Sequence, residues 1–198
     1  MSTPETPASS APLPVTRRVS PVTQVVAIGI GAALFFVLSR FVAIPVPVPN
    51  LAITFQYALL AVLAVLYGPY VAGVAGFVGH ILADATGYGI WLSWEIPTAV
   101  FGLIVGFFML RNRVNEGEFP RQDLVRFNLA VIVGHFVAWG VLAWILDVTL
   151  MGEPFDKVIV QGLVAFVTNA ILTCVFGSII LALYAKTRTR SGSLEVGA

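Results

Sequence analysis

Only one cysteine, Cys174, occurs among 198 residues. A lone thiol excludes an intrachain disulfide and any metal site built on paired cysteines, and within an apolar run it reads as a small buried hydrophobe. Charge is also scarce: Asp, Glu, Lys and Arg together make up 11% of the chain, with two histidines besides. Such a thin basic complement gives no surface for nucleic acid. No glycine-rich loop followed by Lys-Ser or Lys-Thr is present, so the chain has no means of hydrolysing ATP itself. HExxH is missing too, and Ser39, Ser93 and Ser178 stand in no GxSxG elbow.

What fills the chain instead is apolar: 58% of it is hydrophobic, and the mean hydropathy is +0.93. A water-soluble domain of this length cannot hide so much apolar surface, so an integral membrane protein is expected. Residues 1–21, rich in Ser, Thr and Pro, predict a disordered tail. Arg17 and Arg18 resemble the start of a secretion signal, but the apolar run behind them is too long for one, and a retained first span is expected. Runs suited to crossing a bilayer follow at Val22 to Ile44, Leu51 to Leu66, Tyr70 to Ala83, Trp94 to Leu110, Leu124 to Leu146 and Val158 to Ala185. The second and third are short and meet at "YGPY", where Gly68 and Pro69 force a turn. That predicts a helical hairpin whose third helix is broken or tilted. The expected fold is all-α: a polytopic bundle of six transmembrane helices over 22–185, with a short tail at 186–198.

Six spans put both termini on one side. Arg17, Arg18, Arg111, Arg113, Arg121, Arg126, Lys186, Arg188 and Arg190 then share a single face, leaving Arg40 and Lys157 near the other with Asp84, Glu95, Asp147, Glu153 and Asp156. By the positive-inside rule both termini are cytoplasmic, in what would be a bacterial cell membrane.

With that orientation the polar side chains inside the spans sort by depth, and they gather in the outer half. Gln56 lies in the second span, His80 and Asp84 near the outer end of the third, and Trp91, Trp94 and Glu95 around the outer start of the fourth. Trp139 sits above the middle of the fifth span with His135 near the midplane; Gln161 and Asn169 enter the sixth. Fourfold spacing places His80 with Asp84, His135 with Trp139, and Gln161 with Asn169 on shared helical faces. Intramembrane polar groups usually face a bundle interior or a wet cavity, so an outward-facing pocket is expected. Trp91 and Trp94 also suit an interfacial aromatic belt, and Asn169 also suits interhelical hydrogen bonding. Asp147, Glu153 and Asp156 read as helix caps or water-facing groups.

The segment "AIPVPVPNLAIT", Ala43 to Thr54, carries alternating prolines that stiffen it as an extended strand-like or polyproline stretch. It reads as a lid over the pocket or as a connector in the headgroups, with Asn50 supplying a hydrogen bond either way. Small residues four apart, Ala27 with Gly31, Gly29 with Ala33, and Gly102 with Gly106, mark places where backbones approach closely.

Together these features resemble the substrate-capture (S) components of energy-coupling factor (ECF) transporters. More narrowly, "FQYALLAVLAVLYGPYVAGVAGFVGHILADATGYGIWLSWE" is similar to a block of the membrane family labelled riboflavin-type S components. A Gly-His-x-x-x-Asp element and a Trp-Ser-Trp stretch recur there, matched here by Gly79, His80, Asp84, Trp91, Ser93 and Trp94; the similarity runs from about Val25 to Leu183. The resemblance implies a non-enzymatic subunit, without cofactor or metal, that binds a vitamin or related micronutrient from outside. It implies as partners a transmembrane coupling subunit and two cytoplasmic ATPases. It also implies a coupling contact through small residues on span one, for which Ala27 and Gly31 match, with Gly in place of the second Ala usual there.

An aromatic-lined pocket with amide and imidazole partners suits a flat conjugated ring stacked on Trp91, Trp94 or Trp139 and hydrogen-bonded by Asn50, Gln56, His80 or Gln161. Riboflavin meets that description, and so do other ring compounds, cobalamin included. Two readings of other classes stay open. One is a metal-dependent intramembrane enzyme using His80, Asp84, Glu95 and His135; the other is a stand-alone carrier driven by protons through His80, Asp84 and Glu95.

Overall fold

The computed structural model describes residues 19–48, 51–87 and 89–188. Most of the two predicted tails, and Asn50, lie outside these residues. Six helices follow one another: α1 Pro21–Phe41, α2 Gln56–Tyr67, α3 Pro69–Ala85, α4 Leu92–Phe108, α5 Arg121–Met151 and α6 Phe155–Lys186. Each coincides with one of the apolar runs. Among them α1, α5 and α6 are long and apolar enough to cross a membrane by length and composition.

Local chemistry sets the helix ends. Ser20 caps α1 by accepting from the Thr23 N–H at 3.1 Å, and Pro21 fills the first turn, where no amide hydrogen is needed. Between α2 and α3, Gly68 takes φ +94°, a conformation that favours glycine, and Pro69 opens the next helix. The turn predicted at "YGPY" is therefore present, and of the two forms expected for α3, broken or tilted, the break is absent, since the helix runs unbroken to Ala85. The glycines in its sequence serve packing and leave its hydrogen bonding intact.

The proline-rich segment after α1 folds into a small antiparallel ladder, β1 Ala43–Pro45 with β2 Ala52–Thr54, in the register Ala43 to Thr54 and Pro45 to Ala52. This is the one departure from an all-α fold among the described residues. Proline is tolerated because a two-stranded ribbon consists only of edges.

Packing relies on small residues, as expected where lipid removes the hydrophobic drive between helices. On α4, Gly102 and Gly106 press against α3 so closely that a Cβ at Gly106 would stand 2.3 Å from the Cα of Pro69, and one at Gly102 2.9 Å from the carbonyl carbon of Ala72. Backbone cannot yield as a side chain can. Gly106→Leu is expected to cost about 3 kcal/mol or more, seen as a large fall in the melting temperature of detergent-purified protein; an unchanged melting temperature would refute the α3–α4 contact.

Helices α5 and α6 are long but not uniform. Wider π turns occur at Ala138–Leu142 and Asp147–Met151 in α5 and at Thr173–Gly177 in α6. Such turns often accompany functional sites because they change which side chains share a face.

Candidate functional site

One end of the bundle encloses a cavity of about 270 Å³. Its wall is assembled from the end of α1 (Ser39, Arg40), the β hairpin, the starts of α2 and α4, the end of α3, Trp139 and Asp147 of α5, and the first half of α6 from Lys157 to Asn169. Gln56, His80, Asp84, Trp91, Trp94, Trp139, Gln161 and Asn169 all border it. Side chains far apart in sequence thus meet around one hollow. The hairpin forms part of the wall through Ala43, Ala52 and Thr54.

Glu95 and His135, also proposed from the sequence, stand behind the wall. Both are fully buried. Glu95 folds back on its own helix start, where Oε1 accepts from the Trp91 backbone N–H at 3.2 Å. His135 stacks on Phe101 with ring centroids 4.0 Å apart. Its Nδ1 accepts from the Trp139 indole N–H at 3.1 Å, so the ring proton belongs on Nε2, which faces Thr173 Oγ1 at 3.2 Å. With both ring nitrogens engaged, His135 orients Trp139 and has no free nitrogen for a ligand.

A second network fixes the floor. His80 Nδ1 lies 2.7 Å and the Tyr57 hydroxyl 3.0 Å from Thr98 Oγ1, which also donates to the Trp94 carbonyl at 3.0 Å. The Tyr57 ring meets Phe35, Phe101, His135 and Trp139 edge-on at centroid distances of 5.3 to 5.7 Å, a favourable arrangement for aromatic quadrupoles. Tyr57 and Thr98 escaped the sequence reading because a lone tyrosine or threonine in an apolar helix carries no periodic signal.

Asp147 is the larger omission. Expected to cap a helix or face water, it is instead only 3% exposed and borders the cavity. One oxygen accepts from the Trp91 indole N–H at 3.0 Å and from the Ser93 hydroxyl; the other accepts from the Trp94 indole N–H at 2.9 Å. A single carboxylate from α5 therefore orients both tryptophans at the start of α4, and Trp94 lies against Trp139 at 5.0 Å with a 45° tilt. Of the other two acids grouped with it, Glu153 pairs with Lys157 at 2.6 Å and Asp156 is exposed.

The metal reading loses its geometry here. No cluster of three or more His, Cys, Asp or Glu able to hold a metal exists among the described residues, and His80 Nε2 is 3.8 Å from Asp84 Oδ2.

The small-residue pair expected to meet a partner, Ala27 and Gly31 on α1, packs within the bundle. Ala27 and Gly31 are buried, and a Cβ at Gly31 would lie 2.6 Å from Leu63 Cδ1 of α2 and 3.2 Å from Ala75 Cβ of α3. Close approach does occur at these small residues, but to neighbours inside the bundle. Gly29 and Ala33 lie on the exposed side, and nothing comes within 4 Å of a Cβ placed at Gly29.

Comparison with known proteins follows the same lines. The model of the family "ECF-type riboflavin transporter, S component" matches residues 20–186. A UPF0397 protein of Streptococcus sanguinis (strain SK36) is 46% identical over 175 residues, covering 88% of this chain and 96% of that protein. The UPF0397 protein YdcD of Lactococcus lactis subsp. lactis (strain IL1403) is 42% identical over 172 residues, covering 86% and 94%. Among solved structures, FolT bound with folic acid superposes with a TM-score of 0.59 at 18% identity, over 81% of this chain and 97% of that one. The S-component for biotin from an ECF-type ABC transporter gives 0.55 at 16%, over 82% and 90%. At such identities the two structures speak for the fold alone. The chain belongs to the ECF-type riboflavin transporter S component family, a family of transporter subunits and not of enzymes.

Proposed function

We propose that this protein captures a flat ring vitamin, riboflavin or a compound of similar shape, at the outer membrane surface and delivers it through an ECF-type importer. The observation that carries this reading is a cavity bordered at once by Trp91, Trp94 and Trp139 and by polar side chains of α2, α3 and α6. Aromatic walls with a few placed polar groups suit a planar conjugated ligand. That one structural neighbour is bound with folic acid and another is an S-component for biotin supports a vitamin over an ion or a lipid.

In this reading all six helices are spans, residues 1–21 and 186–198 are cytoplasmic tails, and the cavity opens outward at the end remote from the arginines that follow α4. The protein binds without ATP. A transmembrane coupling subunit and two ATPases supply the energy that this chain has no motif to harvest.

The test is binding by detergent-purified protein, free of ATPases, to a vitamin panel followed by calorimetry and native mass spectrometry. One molecule of one ring vitamin per chain is expected. A protein that stays empty against the whole panel would end the proposal. Uptake by this chain alone into sealed vesicles, abolished by an uncoupler, would replace it with a proton-driven carrier.

A further inference from the structure

Away from Arg40 at its exposed rim, the cavity has oxygens without donors among the described residues and tryptophans whose N–H groups are already engaged. None of its three tryptophans has an N–H to offer: those of Trp91 and Trp94 end on Asp147, and that of Trp139 ends on His135. With their N–H groups engaged, the three rings offer the cavity aromatic carbon alone. Lys157 is held by Glu153. Arg40 stands exposed at the rim, without an ion pair among the described residues.

Acceptors, by contrast, are left over. Gln56 is 5% exposed and borders the cavity, yet its Oε1 has no hydrogen-bond partner among the described residues. Asp84 also borders the cavity. Among the described residues its carboxylate meets only His80 Nε2, at 3.8 Å, beyond hydrogen-bonding length. A buried acceptor without a donor is unfavourable, and sites built to hydrogen-bond a ligand reject analogues that leave such groups unpaired. Asn169 can donate or accept, and so can the Gln56 amide as a whole; the unpaired atom of Gln56 is its oxygen, and the Asp84 carboxylate only accepts.

Resting on the proposed capture role, we infer that the cavity selects ring compounds that present N–H donors, amino, imide or amide, to Gln56 Oε1 and the Asp84 carboxylate. The aromatic walls recognise any planar ring. The two acceptors decide which ring is held.

The experiment measures binding of riboflavin, folic acid, thiamine and cobalamin to the purified full chain, then compares the tightest binder with its N-methylated analogue. N-methylation is expected to weaken binding to the unaltered protein by at least about tenfold, the worth of one buried hydrogen bond. Gln56→Met or Asp84→Asn is expected to weaken the parent compound similarly, and the methylation penalty should shrink to within about twofold in at least one variant, as coupled partners require. A methylated analogue that binds the unaltered protein as well as the parent overturns the inference while leaving vitamin capture in place. So does a methylation penalty undiminished in both variants. If no panel member binds, the capture role itself fails and the inference falls with it.

Discussion

Asp147→Ala is expected to weaken ligand binding by about 100-fold or more while the protein still inserts in the membrane. The substitution strands three donors at once: two indole N–H groups and the fully buried Ser93 hydroxyl. Hydrogen bonds to a charged acceptor contribute about 1.5–3 kcal/mol each. They are not additive within one network, but even a net loss of about 3 kcal/mol is more than a hundredfold in affinity. Asp147 also lies in the last turn of α5, where a negative charge opposes the helix dipole. The three donors offset that cost, so loss of the carboxylate should affect the cavity more than α5 itself. Freed from Asp147, Trp94 loses its fixed angle against Trp139, and the aromatic wall loses its shape. Asp147→Asn keeps one acceptor oxygen but turns an amide N–H₂ toward an indole N–H, and an intermediate loss is expected. Titration calorimetry gives the affinities. A red shift in tryptophan emission reports the opening of the clamp separately from any loss of ligand. Wild-type affinity in Asp147→Ala would show that the clamp is packing without bearing on recognition.

Legibility in the sequence followed physical regularity. All six helices could be read because apolar runs and the Gly68-Pro69 turn are local signals, and helix ends shifted by only a few residues from the expected spans. The cavity residues of α3 and α6 were also legible, since His80 with Asp84 and Gln161 with Asn169 lie on regular stretches of α-helix. Asp147 was not, and the reason is geometric. In a regular helix the eight steps from Trp139 to Asp147 overshoot two turns by about 80°, which would aim the carboxylate elsewhere. The π turn at Ala138–Leu142 takes up extra residues per turn and brings Asp147 back to the side of Trp139. Nothing in the local sequence announces a π turn. His135 shows the opposite limit: its polarity and spacing mark it for the pocket, but they do not reveal that Trp139 and Thr173 engage both its nitrogens. Sequence shows that a polar group needs a partner, but the identity of the partner emerges only from packing.

The two small-residue pairs of α1 divide along the same line, and a paired substitution separates their uses. Gly31→Leu is expected to damage the bundle. Leu63 can turn aside for a methyl group, but an isobutyl group also meets Ala75, a few tenths of an ångström inside comfortable contact even at its Cβ. Such overpacking costs about 1–3 kcal/mol, and both melting temperature and ligand affinity should fall. Gly29→Leu should do neither, because its Cβ points into open space and leucine is the better helix former by up to about 1 kcal/mol. Its consequence lies outside the chain. Gly29 and Ala33 belong to an uncovered stripe with Val22, Val25, Val26, Ile30, Leu34 and Val37, along which a partner helix can approach only where the side chains are small. If this stripe receives the coupling subunit, a leucine at position 29 holds that helix away, and ATP-driven uptake by the assembled complex is expected to fall to background while the isolated protein binds its vitamin normally. Measuring both quantities on both variants is decisive: transport retained in Gly29→Leu would move the coupling face off this stripe, whereas a stable, ligand-binding Gly31→Leu would contradict the inward packing of α1.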